Sequence, residues 1–136
     1  MSVNHVDDPT ITDSAQLWRR IHPKQIVADD KSGGFRVSSA AFSDSSDGTP
    51  MSVLLAEAVL LSGRTARDVL NGYETFALSS ITAGVVRKER QGVTRAPLPD
   101  EPAHAYVFGE KTRGTKRFLA RHAVWVVDPH PPTRGT

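Results

Sequence analysis

The longest apolar stretch of the chain runs only from Val53 to Leu61, and Glu57 interrupts it. A helix that crosses a membrane needs roughly 18 or more consecutive apolar residues, so the sequence offers no candidate for a span. Short apolar segments instead predict short helices and strands that each bury one face. With 136 residues, of which 38% are hydrophobic, the chain has the size and composition of one folded domain.

Both ends of the chain are polar and contain proline, and we predict that both are flexible. Residues 1–13 hold Pro9 and three aspartates, and residues 129–136 hold three prolines. Neither segment can bury enough apolar surface to offset the entropy lost on ordering. The first segment has no Lys or Arg, the opposite of a secretory signal, so we expect a cytoplasmic protein. The folded domain should span residues 14–128.

The chain has no cysteine and five histidines. Without thiols it can form no disulfide, no thiolate metal site and no cysteine nucleophile. The histidines do not follow the H-x-x-x-H or H-E-x-x-H spacing with which helices bind zinc, and His104 and His122 are far apart in sequence. We therefore predict no metal site and no bound cofactor.

Several segments have the residue pattern of strands. Every second residue from Phe35 to Ala41 falls on one face, which is the period of a half-buried strand. The apolar cluster that ends at Ile21 fits a short helix or a strand equally well. Aromatic and β-branched residues predict three further strands, at residues 76–81, 104–108 and 124–127. Residues 124–127 are also compatible with the buried end of a helix.

Capping residues predict the helices. Ser52 is placed as the N-cap of a helix that ends at Gly63, and a capping-box-like start at Thr65 begins a short second helix. Thr115 is placed as the N-cap of a third, basic helix. Residues 82–91 fit either a short helix or a hairpin strand. The predicted fold class is α+β: a single small domain whose short mixed sheet is covered on one side by three or four helices.

Positive charge is concentrated in the second half of the chain. Residues 1–68 contain seven basic and nine acidic residues, whereas residues 69–136 contain ten basic and six acidic residues. Five cations and no acid lie between Lys111 and Arg121, where a loop leads from a predicted strand into a predicted helix. Cations in a first helical turn oppose the helix dipole, so their placement favours a bound anion.

We predict that this basic loop and helix, residues 109–121, form an anion site. Backbone N–H groups after Gly114 and two threonine hydroxyls would cradle a phosphate or carboxylate. The predicted binding residues are Lys111, Thr112, Arg113, Thr115, Lys116, Arg117 and Arg121. The G-x-x-x-x-G spacing is followed by Thr and then Lys, the reverse of a P-loop, so it does not indicate nucleotide hydrolysis.

The same cations also have a structural interpretation. Three of the arginines recur at intervals of four residues, which favours a solvated stripe along one helix face. Ion pairs with Glu110, Asp100 or Glu101 are a further alternative.

These patterns favour a small non-catalytic binding or interaction module. It would engage an anionic partner, either nucleic acid or an acidic protein surface, through residues 109–121. Tyr106 and Phe108 fall on the same side of their predicted strand and could stack on bases, although core positions explain them equally. No membrane partner is expected, and the oligomeric state is open.

A second hypothesis is a small enzyme built around His22. A histidine near a serine and arginines can combine a general base, a nucleophile and an oxyanion donor. The sequence lacks a G-x-S-x-G motif, and a turn position beside Pro23 explains His22 more simply. The main catalytic candidates are His22, Ser38 and Arg36, with Arg19, Arg20 and Ser39 nearby in sequence.

The segments LWRRIHP, RVSSAAF, MSV and LPDEPAHAYVFGEKT resemble a group of short uncharacterised bacterial proteins. Members share an R-I-H-P start, an S-S-A-A-F strand and an L-P-x-x-P-A-H-A bend, and the match spans residues 17–126. The resemblance implies a compact bacterial domain and carries no activity or catalytic residue. Small size and the lack of motifs add a third hypothesis, an accessory subunit of a bacterial defence or toxin-neutralising system.

Overall fold

Strands outnumber helices in the computed structural model, which describes residues 5–31 and 33–129. In that part of the chain the strands are β1 (Gln16–Ile21), β2 (Ile26–Asp29), β3 (Gly34–Val37), β4 (Met51–Leu55), β5 (Ala77–Thr82), β6 (Gly92–Arg95), β7 (His104–Phe108) and β8 (Val124–Val127). The α-helices are α1 (Ala56–Leu61), α2 (Ala83–Lys88) and α3 (Arg113–His122). Shorter 3-10 turns lie at Pro23–Gln25, Ser39–Ala41 and Asp68–Leu70.

Six strands form one antiparallel sheet in the order β6-β7-β4-β1-β5-β8. The β2 and β3 strands form a separate antiparallel hairpin. The prediction of a single small α+β domain is confirmed, whereas the prediction of a mixed sheet is wrong. At the centre of the sheet β1 runs opposite to both neighbours, and each strand further out reverses direction again.

Residues 51–55 form the strand β4, so the predicted helix with Ser52 as its N-cap is wrong there. Val53 and Leu54 point to opposite sides of the sheet, and both are buried. A strand covered on both faces has a continuous apolar sequence, which cannot be told from a buried helix by its pattern. Helix α1 begins only at Ala56, and Gly63, at a φ of 84°, closes its end as predicted.

The sheet carries a hydrophobic core on each face. Leu17 of β1 packs in the same cluster as Leu119 of α3, on what we call the α3 face. Trp18, the next residue of β1, packs with Val59 of α1 on the opposite side, the α1 face. The expectation that helices cover only one side is therefore wrong, because alternate residues of the central strands are buried on different sides.

Several other predicted elements are confirmed. β7 and β8 have their predicted bounds, β5 is displaced by one residue, and the segment ending at Ile21 is a strand. The ambiguous segment contains helix α2, whose N-cap Thr82 accepts a hydrogen bond from the Val85 backbone N–H. The basic helix exists but begins earlier than predicted, since Thr112 rather than Thr115 is its N-cap.

Two predicted elements are shorter than expected. The strand after the Gly-Gly pair ends at Val37, because the Ser38 side chain caps a 3-10 turn that follows it. Thr65 and Asp68 exchange the two hydrogen bonds of a capping box, at 2.7 and 3.3 Å, yet they introduce only a 3-10 turn.

The predicted flexible segment at the start of the chain is described from His5 onward. Ile11 is only 2% exposed and packs in the core of the α3 face. The Asp8 backbone N–H donates to the Val93 carbonyl of β6, and the Asp7 carboxylate accepts from the Val93 N–H, both at 2.8 Å. Residues 130–136 of the predicted tail lie outside the described residues, and the flexibility of either end stays a prediction. Among the described residues, no helix combines the length and apolar character that crossing a membrane requires.

Candidate functional site

A cleft of about 570 Å³ lies between the β2–β3 hairpin and helix α3. Helix α3 packs against β3 and the Ser39–Ala41 turn, with Leu119 buried beneath it. The Trp125 indole N–H donates to the Phe35 carbonyl at 3.0 Å and ties the hairpin to strand β8. Both walls of the cleft are therefore anchored to the main sheet.

Three arginines from two elements line this cleft: Arg36 on β3, and Arg117 and Arg121 on α3. All three residues are exposed. Within residues 5–31 and 33–129, none of the three guanidinium groups forms an ion pair with a carboxylate. The structure thus brings together two residues of the predicted anion site and one residue that the enzyme hypothesis had singled out.

The turn of the hairpin adds one further cation and two acids to the rim of the cleft. Lys31, Asp29 and Asp30 all line it. The Lys31 backbone N–H donates to the Asp29 carboxylate at 3.2 Å, and Gly33, at a φ of 76°, closes the turn. Four cations against two carboxylates leave the cleft lining with an excess of positive charge.

The start of α3 is anchored by Lys111, which sequence analysis had assigned to the anion site. Its side chain is 3% exposed, and its ammonium donates to the Asp44 carboxylate at 2.6 Å and to the Val107 carbonyl at 2.9 Å. Burial lowers the pKa of Lys111, and the hydrogen bond to Asp44 opposes that effect. Lys111 is thus placed under the loop that contains Asp44 and not in the cleft.

Arg19 and Arg20, two residues of the enzyme hypothesis, serve the fold in a similar way. The Arg19 guanidinium donates to the carbonyls of Ala41 and Ser52, each at 2.6 Å. Burial lowers the pKa of Arg19 to about 10, so it remains charged near neutral pH. The Arg20 guanidinium donates to the Val69 carbonyl at 2.7 Å.

The remaining residues of the predicted anion site are divided between capping and open surface. The Thr112 hydroxyl accepts from the Thr115 backbone N–H at 3.1 Å and bonds to its hydroxyl at 3.0 Å, and Thr115 is buried. These two hydroxyls therefore stabilise the first turn of α3. Arg113 is exposed and Lys116 half-buried, and neither is among the residues that line the cleft.

The structure does not join His22 to Ser38. The His22 ring accepts from the Lys24 backbone N–H at 3.0 Å, and the Ser38 hydroxyl accepts from the Ala40 N–H at 3.3 Å, so each caps its own 3-10 turn. No hydrogen bond connects the two side chains in the described part of the chain. Of this group, Arg36 and Ser39 both line the cleft.

Sequence analysis missed the contribution of the hairpin to the cleft. Lys31, Asp29 and Asp30 lie in a polar turn that ends in Gly33-Gly34, with short apolar segments on both sides. This arrangement is typical of a β-hairpin and would have placed Arg36 beside the turn. What the sequence does not contain is the packing of that hairpin against α3, which is separated from it by about 80 residues.

Within the described residues, no group of three or more histidine or acidic side chains is arranged to hold a metal ion. No family model matches the chain, and neither a curated protein nor a solved structure matches it. The resemblance to short bacterial proteins therefore stays a prediction.

Proposed function

We propose that the protein binds single-stranded nucleic acid in the cleft between the β2–β3 hairpin and α3. The observation that carries this proposal is the presence of three exposed guanidinium groups, without carboxylate partners among the described residues, in one concave site. Arg36, Arg117 and Arg121 would contact the phosphates. This role is non-catalytic.

The chemistry of arginine supports a phosphate ligand. A guanidinium group presents its N–H donors in a planar fork that matches phosphate oxygens, and it is more weakly hydrated than an ammonium. Placing like charges together without partners costs folding free energy, and a bound polyanion would recover it. The carboxylate of Asp30 at the rim could accept a hydrogen bond from a base amino group.

The shape of the site supports a single strand over a duplex. Proteins read duplex DNA by inserting a projecting helix or ribbon into a groove about 12 Å wide. Here the basic surface is concave, and its volume of about 570 Å³ lies in the range of pockets that hold one small ligand or one nucleotide unit. Unstacked bases can also stack on guanidinium planes, which are available in this cleft.

Fluorescence anisotropy with labelled single-stranded and double-stranded oligonucleotides, at low and near-physiological salt, tests the proposal. We expect the single strand to bind more tightly, with an affinity that falls as salt rises. Replacing Arg36, Arg117 and Arg121 together by Gln should weaken binding and reduce the slope of log K against log salt by up to about 2, since each phosphate contact on a single strand contributes roughly 0.7.

A matched control separates the cleft from net charge. The variant Lys24→Gln/Arg67→Gln/Lys88→Gln removes the same three charges from exposed positions outside the cleft. This control variant should keep nearly the wild-type slope of log K against log salt, with only the small change that a lower net charge causes. Equal losses in both variants, or no binding by the wild type, would contradict the proposal, and the second result would direct attention to an acidic protein partner.

A further inference from the structure

Ser52 and His104 meet on the α1 face of the sheet, away from the arginine cleft. The register of β4 and β7 pairs Ser52 with Tyr106 and Leu54 with His104, so Ser52 and His104 are diagonal neighbours on one face. The His104 Nε2 atom lies 3.0 Å from the Ser52 Oγ atom. Ser52 is half-buried and His104 is 8% exposed.

The other ring nitrogen of His104 fixes its tautomer. Nδ1 lies 2.7 Å from the Ala96 carbonyl oxygen. A carbonyl oxygen can only accept a hydrogen bond, so Nδ1 carries the proton and its N–H donates to the Ala96 carbonyl oxygen. In the neutral ring with this tautomer, Nε2 is the acceptor and the Ser52 hydroxyl donates to it. The Tyr106 ring packs edge-on against the imidazole, with the ring centroids 4.9 Å apart, and further restricts its orientation.

This geometry matches the requirements of nucleophilic catalysis. A serine is activated when a base accepts its proton and a third group orients the base, and these roles fall here to Ser52, His104 and the Ala96 carbonyl. The sequence predicts this chemistry at His22 and Ser38, but in the fold these two residues cap turns. The pair at Ser52 and His104 is separated by 52 residues, so it becomes visible only when β4 and β7 are paired.

A small pocket opens on the pair. Its volume is about 110 Å³, and Trp18, Leu54 and Arg20 contribute to its lining together with Ser52 and His104. This volume accommodates a few waters or a short acyl chain and excludes a bulky one. The Arg20 guanidinium is held by the Val69 carbonyl at 2.7 Å and lies 4.4 Å from the centroid of the Tyr73 ring. Arg20 therefore contributes a fixed cationic residue to the lining of this pocket.

We propose that Ser52 and His104 form an esterase site for small carboxylic esters with short acyl chains. The Ser52 oxygen forms a bond to the acyl carbon while the bond from that carbon to the leaving alcohol oxygen breaks. His104 Nε2 takes the Ser52 proton and delivers it to the departing oxygen. Water, deprotonated by Nε2, then attacks the acyl carbon, and the carboxylic acid leaves as Ser52 regains its proton. Water and the ester are the only reactants consumed.

The activity is tested with 4-nitrophenyl acetate as substrate and a fluorophosphonate as covalent probe. We expect slow release of 4-nitrophenolate and one phosphonyl adduct, mapped to Ser52 by mass spectrometry. Ser52→Ala, which removes only a hydroxyl, should lose both, whereas Ser38→Ala, a serine with a capping role, should retain both. An adduct on another residue, or ester hydrolysis that persists in Ser52→Ala, would overturn the proposal.

A second measurement does not depend on the choice of ester. Because the chain has no cysteine, Ser52→Cys and Ser38→Cys each introduce a single thiol. A neighbouring base raises the thiolate fraction, so iodoacetamide should alkylate Ser52→Cys about 10-fold faster than Ser38→Cys. His104→Gln in the Ser52→Cys background should abolish the difference. Equal rates for the two single variants would overturn the proposal.

The esterase proposal and the nucleic-acid proposal fail independently. The arginine cleft and the Ser52 pocket share no lining residue. The Arg36/Arg117/Arg121→Gln variant should therefore keep the fluorophosphonate adduct, and Ser52→Ala should keep the salt-dependent binding of the single strand.

Discussion

The ammonium of Lys111 and the guanidinium of Arg19 are both held by backbone carbonyl oxygens beneath the loop that contains Asp44. The Asp44 carboxylate also accepts from the Met51 backbone N–H at 3.1 Å, so one acid connects the loop, strand β4 and the start of α3. A charge buried to this degree contributes to stability only while its hydrogen-bond partners are present. Asp44 therefore helps to fix the position of the start of α3.

Asp44→Asn tests this dependence. The substitution leaves the buried ammonium of Lys111 without a carboxylate partner, and we expect a loss of about 2 kcal/mol in the free energy of unfolding, typical of a hydrogen bond to a charged group. Urea denaturation measures it. Asp47→Asn is the control and should have a clearly smaller effect, because the Asp47 carboxylate accepts from the backbone N–H and hydroxyl of Thr49 within the same exposed loop. Equal effects would show that the contact with Lys111 does not stabilise the fold.

Glu101 predicts a pH dependence of stability. Arg64 donates two hydrogen bonds to its carboxylate, at 2.9 and 2.6 Å, and these hold the pKa of Glu101 below its ordinary value of 4.5. The folded state then binds this proton less readily than the unfolded state, so the contribution is complete above the ordinary pKa. It is lost as the pH falls through the lowered pKa of the folded state.

Glu101→Gln should therefore destabilise the protein near pH 6, and its difference from the wild type should shrink as the pH falls below 4.5 and through the lowered pKa of the folded state, because the carboxylate is then progressively protonated. Chemical denaturation at several pH values measures the difference. Glu57→Gln, an exposed glutamate on α1, serves as the control. A difference between Glu101→Gln and the wild type that stays constant with pH would contradict the role given to the ion pair.

For single residues, the sequence shows which side chains are cationic but does not show which of them are buried and which are exposed. Lys111 and Arg117 belong to the same basic segment and have the same formal charge, yet one is buried against Asp44 and the other lines an open cleft. The difference arises from which side chains face the sheet once α3 has docked. Arg36 and Ser52 became site residues for the same reason, since their partners come from distant strands and helices.

The elements that present the two sites are short, and their ends are defined by single residues. Helix α3 has ten residues and follows its N-cap Thr112, whose hydroxyl accepts from the Thr115 N–H. Isolated helices of this length are marginal in water, so capping and the burial of Leu119 hold it in place. The direction in which Arg117 and Arg121 point depends on that first turn.

Thr112→Ala should lower the free energy of unfolding by about 1 kcal/mol, because it removes the N-cap of α3. Thr112→Ser keeps a hydroxyl at the same position and should stay close to the wild type. Thermal denaturation of the two variants provides the comparison. If alanine and serine had the same effect, the hydroxyl would not act as a cap.

The two glycines that bound the basic loop should respond to alanine with opposite signs. Gly109 has a φ of 134°, and an added Cβ would lie 3.0 Å from the Arg90 carbonyl oxygen, so Gly109→Ala should destabilise by about 1–3 kcal/mol. Gly114 lies inside α3, and apart from its neighbours and the helix backbone the nearest atom to such a Cβ is the Thr112 hydroxyl oxygen at 3.7 Å, so Gly114→Ala should stabilise by up to about 1 kcal/mol. Thermal denaturation of the two variants measures both changes in stability. A stabilising Gly109→Ala or a destabilising Gly114→Ala would contradict the expectation.

For the whole molecule, local pattern predicted elements better than it predicted their arrangement. β7 and β8 have their predicted bounds because aromatic and β-branched residues cluster there between clear breaks. β4 was misassigned because burial on both faces removes the alternation that identifies a strand. The order of the sheet depends on pairings such as β1 with β5, which join residues about 60 apart, and no local pattern encodes them.

Hydrogen exchange should reflect the layout of the sheet. Amides of β1 and β4, the two central strands, should exchange slowest, since each of them is paired on both sides. The Val93 amide lies in the outermost strand, yet we expect protection because the Asp7 carboxylate accepts its hydrogen bond at 2.8 Å. Asp7→Ala should speed exchange at Val93 by roughly 10-fold, the effect of one lost hydrogen bond, without changing β1. Asp30→Ala is the control. If the exchange rate of the Val93 amide stays the same in Asp7→Ala, the hydrogen bond from Val93 to the Asp7 carboxylate is excluded.

The contact of residues 7 and 8 with Val93 also makes the two borders of the sheet unequal. At β6 the outward backbone groups of Val93 are both occupied by the chain itself. At β8, Val124 and Val126 are 60% and 38% exposed, and no described strand pairs with the outer side. A sheet with two open borders can add copies without end, as fibres do. Because the outward groups of Val93 are occupied, association of this sheet through its strands would favour a symmetric pair joined β8 to β8 over an open fibre.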